Sequence, residues 1–221
     1  MKSAGPLVHT LAGTWLPWLA LAAILLLTGR PVTPDARTAT LAVFIIGFAY
    51  TQFFEYVYHR FVMHQLRWAV FNGFQLAHTD HHKAFPRSRF FVKPERLLTE
   101  SFSRHDGSRT RMNDMIAQRW WIYPMLFGIH VAAGAPFVAP EALCMFLCGT
   151  AAHYSVFELA HWYTHVHPTR VDIFLRAVPV VGRIWSFTVD FHRTHHTFPQ
   201  TDFNFTPPFL GDRVGGTFRN P

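Results

Sequence analysis

The chain is poor in cysteine, poor in charge, and poorest in acid. Cys144 and Cys148 are the only cysteines among 221 residues, four apart within an apolar run, so no disulfide framework is expected and both read as packing residues. Charged side chains make up 15% of the chain and hydrophobic ones 50%, which excludes a disordered polymer and implies a large core or membrane spans. Thirteen acidic residues face 20 basic ones, for a net charge of +7. No nucleic-acid recognition motif accompanies that charge, and no nucleic-acid partner is expected. Low-complexity tracts are absent, and the first apolar run lacks a small-residue cleavage site, so it is expected to be retained. The length suits a single domain, 1–221.

Four apolar stretches stand out, about 11–28, 40–58, 120–139 and 142–160. Each approaches the roughly 20 residues that a helix needs to cross a hydrocarbon core. The Pro/Gly-containing segment 29–39 joins the first pair, and Pro140-Glu141 joins the second almost directly. Two helical hairpins follow, with the N-terminus and segments 59–119 and 161–221 on one side. That side carries 18 of the basic residues, whereas Arg30 and Arg37 alone lie opposite. The asymmetry places the large segments in the cytoplasm and accounts for the basic charge. The expected fold is an all-α, multi-pass integral membrane protein with a cytoplasmic helical cap.

Histidine is abundant, at 15 residues, and ten of these fall into four clusters. His59 and His64 form an HX4H pair, and His78, His81 and His82 an HX2HH triplet. His161 and His165 form an HX3H pair, and His192, His195 and His196 repeat the triplet. Composition alone would produce HX2HH about 0.07 times in such a chain, so two copies carry information. Residues three and four apart share a helix face, and each triplet is expected to present its imidazoles to one centre. His59 and His64 are about 140° apart on a regular α-helix. Either that helix is distorted, or the two rings serve different metals. Ten imidazoles suffice for two metal ions with open positions, and the donor type suits iron, zinc, copper or nickel.

These motifs resemble the fatty acid hydroxylase and sterol desaturase superfamily. Residues 55–64 (EYVYHRFVMH) are similar to the first box of the fatty acid 2-hydroxylases, and 78–83 (HTDHHK) to their second. Tyr154, Glu158, His161 and His165 resemble the third box, His192–His196 the fourth, and residues 210–217 (LGDRVGGT) the closing segment. The resemblance runs from Tyr50 to Phe218. It implies a di-iron centre held by the ten histidines, zinc being an alternative occupant of a purified sample. It also implies O2-dependent hydroxylation of a C–H bond in a fatty acyl or other lipid. The cytochrome b5 domain fused to many such hydroxylases is missing from these residues, so a separate cytochrome b5- or ferredoxin-like donor is implied. A lipid or sterol desaturase, a carotenoid hydroxylase and a non-catalytic metal-handling protein are the alternatives. The HX3H spacing of His161 and His165 departs from the carotenoid hydroxylase pattern.

Further candidates follow from position. Glu55 lies four before His59 and Glu158 three before His161, and each is expected to orient an imidazole by accepting its N–H. Asp80 and Asp190, within or beside triplets, are expected to do similar work. His153, Tyr154, Phe157 and Trp162 are candidates to line a substrate channel, an ionisable residue within a span being a functional candidate by default. His9, His105 and His167 lack cluster spacing. His130 is expected to make a simple interhelical hydrogen bond.

Overall fold

The computed structural model describes residues 8, 11–12, 14–16, 19, 23, 36–66, 68–116, 121–134, 136 and 139–219, and for 36–40 and 133–134 the backbone only. The first expected span therefore lies largely outside the described residues, as do parts of the third. What is described is mostly helical. In chain order the principal elements are α1 (Ala36–Val57), a π-helical segment (Tyr58–Gln65), α2 (Asn72–Ala84), strands β1 (Ser101–Ser103) and β2 (Arg109–Arg111), and α3 (Met112–Ile116). Then come α4 (Ile122–Gly134), α5 (Pro140–His165), α6 (Arg170–Ala177), α7 (Pro179–Thr197) and α8 (Leu210–Gly215). The antiparallel β1–β2 ribbon departs from an all-α fold.

Among the described residues, two helices are long and apolar enough to cross a membrane, Leu41–Gln65 and Pro140–His165, and a shorter apolar helix occupies Ile122–Ala132. Leu41, Ile45 and Ile46 are exposed on α1. Such side chains on a helix surface are costly in water and natural in lipid.

The chain divides into two compact units. One contains residues 5–51 and 118–158. Within it α1 and α5 run at backbone contact. A Cβ at Gly47 would collide with the Phe146 carbonyl, and one at Gly149 with the Phe44 carbonyl. Small residues permit this approach, as in lipid-embedded helix pairs.

The other unit contains residues 1–4, 52–117 and 159–221, and hence every clustered histidine. Phe85, Phe90, Leu97, Val166, Phe191 and Phe203 are buried in it. Val92 and Val166 form an isolated parallel bridge, with Val92 N donating to His165 O at 2.8 Å. The tail is fastened through polar groups. Gln52 Nε2 donates to the Thr206 and Pro207 carbonyls, Glu55 accepts the Phe205 amide, and buried Asp212 accepts the amides of Phe203 and Asn204. Gly211 and Gly215 press against Tyr56, where a Cβ would overlap the ring.

Candidate metal centre

Nine of the ten clustered histidines form two groups whose ring nitrogens lie within 4.8 Å of one another, and either group could hold a metal ion. The first comprises His59, His64, His78, His82 and His195; the second comprises His81, His165, His192 and His196. The tenth, His161, stands beside the second group with its Nε2 3.3 Å from His81 Nε2.

Two local features decide which ring goes where. The chain from Tyr58 to Gln65 is π-helical, with i→i+5 periodicity, and this brings His59 and His64 to one side. Of the two possibilities left by the HX4H spacing, the distorted helix is the one adopted, and both rings join the same group. The triplets behave differently from expectation. His78 and His82 join the first group while His81 joins the second; His192 and His196 join the second while His195 joins the first. Each triplet therefore sends its i and i+4 rings to one centre and its i+3 ring to the other. Adjacent helical residues are about 100° apart, so one triplet spans an arc wide enough to face two centres.

The inward atoms are consistently Nε2. His78 Nε2 lies 2.9 Å from the Nε2 of His59 and of His64, and 3.0 Å from that of His82. In the second group, His192 and His165 approach at 2.9 Å and His81 and His196 at 3.2 Å. Two nitrogens bound to one ion at about 2.0–2.1 Å and at right angles would be about 2.9 Å apart, so these separations fit shared coordination. His195 Nε2 is buried with no hydrogen-bond partner, as a lone pair kept for a cation would be.

Outward atoms are held by backbone. The Nδ1 atoms of His59, His81, His165, His195 and His196 meet the carbonyls of Phe203 (2.6 Å), Met115 (2.8 Å), Phe90 (3.1 Å), Thr201 (2.7 Å) and Phe85 (2.8 Å). A carbonyl only accepts, so each Nδ1 carries the proton and each Nε2 a lone pair, the tautomer that binds metal. Burial, reinforced by neighbouring rings, holds His78, His82, His192 and His196 well below the usual imidazole range. Burial likewise lowers His81 to about 4 and His195 to about 3, against the opposing pull of their carbonyls. These rings are neutral near neutrality and need no deprotonation to ligate. Neither group contains a carboxylate, an all-imidazole donor set suited to iron, zinc, copper or nickel over magnesium or calcium.

The other candidates sit as follows. Glu55 bonds the tail at Phe205, and Tyr123 donates to Glu158. Asp80 is buried and holds His105, whose Nδ1 lies 2.6 Å from its carboxylate, with Arg104 nearby; no clustered imidazole is among its described contacts. Asp190 is exposed, and Phe157 is half-buried. His153 packs edge-on against Phe48, Tyr154 Oη lies 3.1 Å from His130 Nε2, and Trp162 Nε1 donates to Asn113 Oδ1 at 3.2 Å. The orienting role expected of carboxylates is thus filled, for five rings, by main-chain carbonyls. Nothing in the residue types announces them, because any residue can offer a carbonyl.

The chain matches no protein-family model, no curated protein and no solved structure.

Proposed function

We propose that this protein is an integral membrane di-iron oxygenase that hydroxylates a C–H bond of a fatty acyl or other lipid substrate. In this reading the chain crosses the bilayer four times as two hairpins, and the histidine-rich unit lies on the cytoplasmic side. A separate cytochrome b5- or ferredoxin-like protein supplies electrons. The carrying observation is the convergence of buried and half-buried imidazoles into two abutting groups, five of the rings with Nδ1 turned out onto a carbonyl. Across the groups, the His82 and His196 rings stack at 4.3 Å. The membrane part is supported by the two apolar helices of spanning length and by the exposed Leu41, Ile45 and Ile46.

All ten clustered histidines, His161 included, are the proposed ligands. Two bound iron ions would supply O2 activation and the oxidising power to attack an unactivated C–H bond. The chain's own part is positioning. The Phe203 and Thr201 carbonyls hold His59 and His195, and the Phe85, Phe90 and Met115 carbonyls hold His196, His165 and His81, so the donors need no rearrangement. Phe85, Phe90, Phe203 and Phe205, all buried, exclude water around the rings. Glu55, Glu158, His153, Tyr154, Phe157 and Trp162 remain candidates to orient ligands or guide the acyl chain.

The test is incubation of the reduced, iron-loaded protein in bilayers with membrane lipids under isotopically labelled oxygen, followed by lipid mass spectrometry. Label in a new hydroxyl is the expected result. Loss of two hydrogens without label would assign desaturation on the same centre. Metal uptake with unchanged lipids would overturn the oxygenase reading.

A further inference from the structure

The α6–α7 hairpin carries an outer face that the metal chemistry does not use. Ile173, Phe174, Val178, Val180, Val181 and Ile184 are all exposed, Phe174 at 68% and Val180 at 69%. These residues are clustered within one short hairpin, unlike the singly scattered apolar residues of an ordinary surface. The hairpin is braced from within. Trp185 Nε1 and Arg176 Nε both donate to buried Asp172 Oδ1, at 2.7 and 2.9 Å, and Arg176 Nη1 donates to Ser186 Oγ at 2.9 Å. At Gly182 a Cβ would crowd the Arg176 backbone at 2.7 Å, so the two helices touch there. Leu175, Trp185 and Val189 pack inward with Phe90 and Tyr163. A fixed inner face leaves the outer apolar side chains no route to burial within the hairpin.

Between Arg170 and Val189 the exposed charge of the hairpin has one sign; exposed Asp190 follows further along α7. Arg170, Arg176 and Arg183 are exposed, while Asp172, the only acid between 170 and 189, is buried and engaged. Position completes the argument. α5, one of the two helices of spanning length, ends at His165, and α6 begins at Arg170. That link can extend about 18 Å at most, so the hairpin cannot leave the neighbourhood of the helix end.

We infer that the outer face of the α6–α7 hairpin lies in the interfacial layer of an anionic bilayer, with Phe174, Val180 and Ile184 among the acyl carbons nearest the headgroups and the arginines at phosphate level. Apolar residues combined with basic ones, with no exposed acid between Arg170 and Val189, are the composition of such interfacial segments. The inference rests on the membrane reading above, and is independent of the oxygenase reading.

The experiment places one cysteine at a time, Phe174→Cys, Ile184→Cys, Ile45→Cys or Ser108→Cys, in the full chain with Cys144→Ala and Cys148→Ala. Each carries an environment-sensitive fluorophore and is reconstituted in phosphatidylcholine vesicles with or without phosphatidylglycerol. Labels at 174 and 184 are expected to be quenched by shallow nitroxide lipids and to be about fivefold less accessible to iodide than the label at 108. Shallow-lipid quenching at both is expected to fall when phosphatidylglycerol is omitted or Arg170→Gln and Arg183→Gln are introduced. Iodide access at 174 and 184 equal to that at 108, with 45 still quenched by deep nitroxide lipid, overturns the hairpin assignment and leaves the membrane reading standing. Iodide access at 45 as well removes both. Protection of 174 and 184 from iodide and lipid quenchers alike, relieved on dilution, assigns the face to a second copy of the chain and overturns the inference.

Discussion

His59 and His64, five residues apart, each bring Nε2 to 2.9 Å from the Nε2 of His78. On a regular α-helix the two rings would diverge. The π-helical segment is what makes them partners, and a π-bulge costs helical regularity that folds retain chiefly at functional positions.

Deleting Val62 removes the extra residue of that segment and swings His64 by about 100°. The first group is then expected to lose most of its metal, while His81, His165, His192 and His196 keep theirs. Metal content per chain, by elemental mass spectrometry, should fall from two towards one. Unchanged content would mean that the wide turn does not set the ligand geometry.

Single-ligand variants should divide by group. His78→Ala removes the ring around which three others of the first group gather, and His192→Ala removes a ring of the second. Each is expected to cost about one ion per chain and nearly all of the lipid hydroxylation proposed above. His81→Ala and His195→Ala take the crossing rings and should weaken the second and the first site respectively, visible in competitive chelator titration.

Asp212 acts at a distance through Phe203. It fixes the Phe203 and Asn204 amides, and the Phe203 carbonyl holds His59. Asp212→Ala leaves two buried amides without an acceptor, a loss of about 2–6 kcal/mol in thermal unfolding. Metal affinity of the first group is expected to drop about 10–100-fold, more than that of the second.

Asp202 gives a pH signature. Burial, with Asp212 nearby, raises its carboxyl to about 6, while the Arg219 amide bond pulls it down. The raised value means that the folded state holds a proton more tightly than the unfolded state between pH 4 and 6. Stability from this group is full below its unfolded value, declines as pH rises through that window, and is level above it. Asp202→Asn tolerates the same left-handed backbone, φ 60°, and carries no charge. It is expected to raise the melting temperature at pH 7.5 and leave it unchanged at pH 4; equal effects at both would exclude the ionisation.

Gly47→Ala and Gly149→Ala drive a methyl into the Phe146 and Phe44 carbonyls respectively. Each should cost about 1–3 kcal/mol in detergent unfolding, without changing metal content in the surviving folded protein.

The four histidine clusters were legible because metal ligands on helices must recur at three or four residues, and His78–His82 and His192–His196 do. The partition of each triplet between two groups went against the expectation of one centre per triplet, because His81 and His82, adjacent on a helix, cannot point the same way. Spacing alone could not choose between the two arrangements left open for His59 and His64; that required the backbone. The carbonyl anchors at Phe85, Phe90, Met115, Thr201 and Phe203 left no trace in residue type. Asp80 looked like a partner for a clustered imidazole by adjacency, yet its carboxylate meets the His105 ring instead. For the spans, Leu41–Gln65 and Pro140–His165 were visible as long apolar runs that continue, as helices, beyond their apolar part into the histidine clusters.

The five outward carbonyls come from stretches of chain separated by more than a hundred residues, between Phe85 and Phe203. No short peptide can reproduce them, so a cation held there and the finished fold would stabilise one another. Without metal, crowded lone pairs would face each other across both groups. A cell short of metal would then be short of the protein itself, through faster clearance of the empty chain, and transcript level would be a poor guide to its abundance.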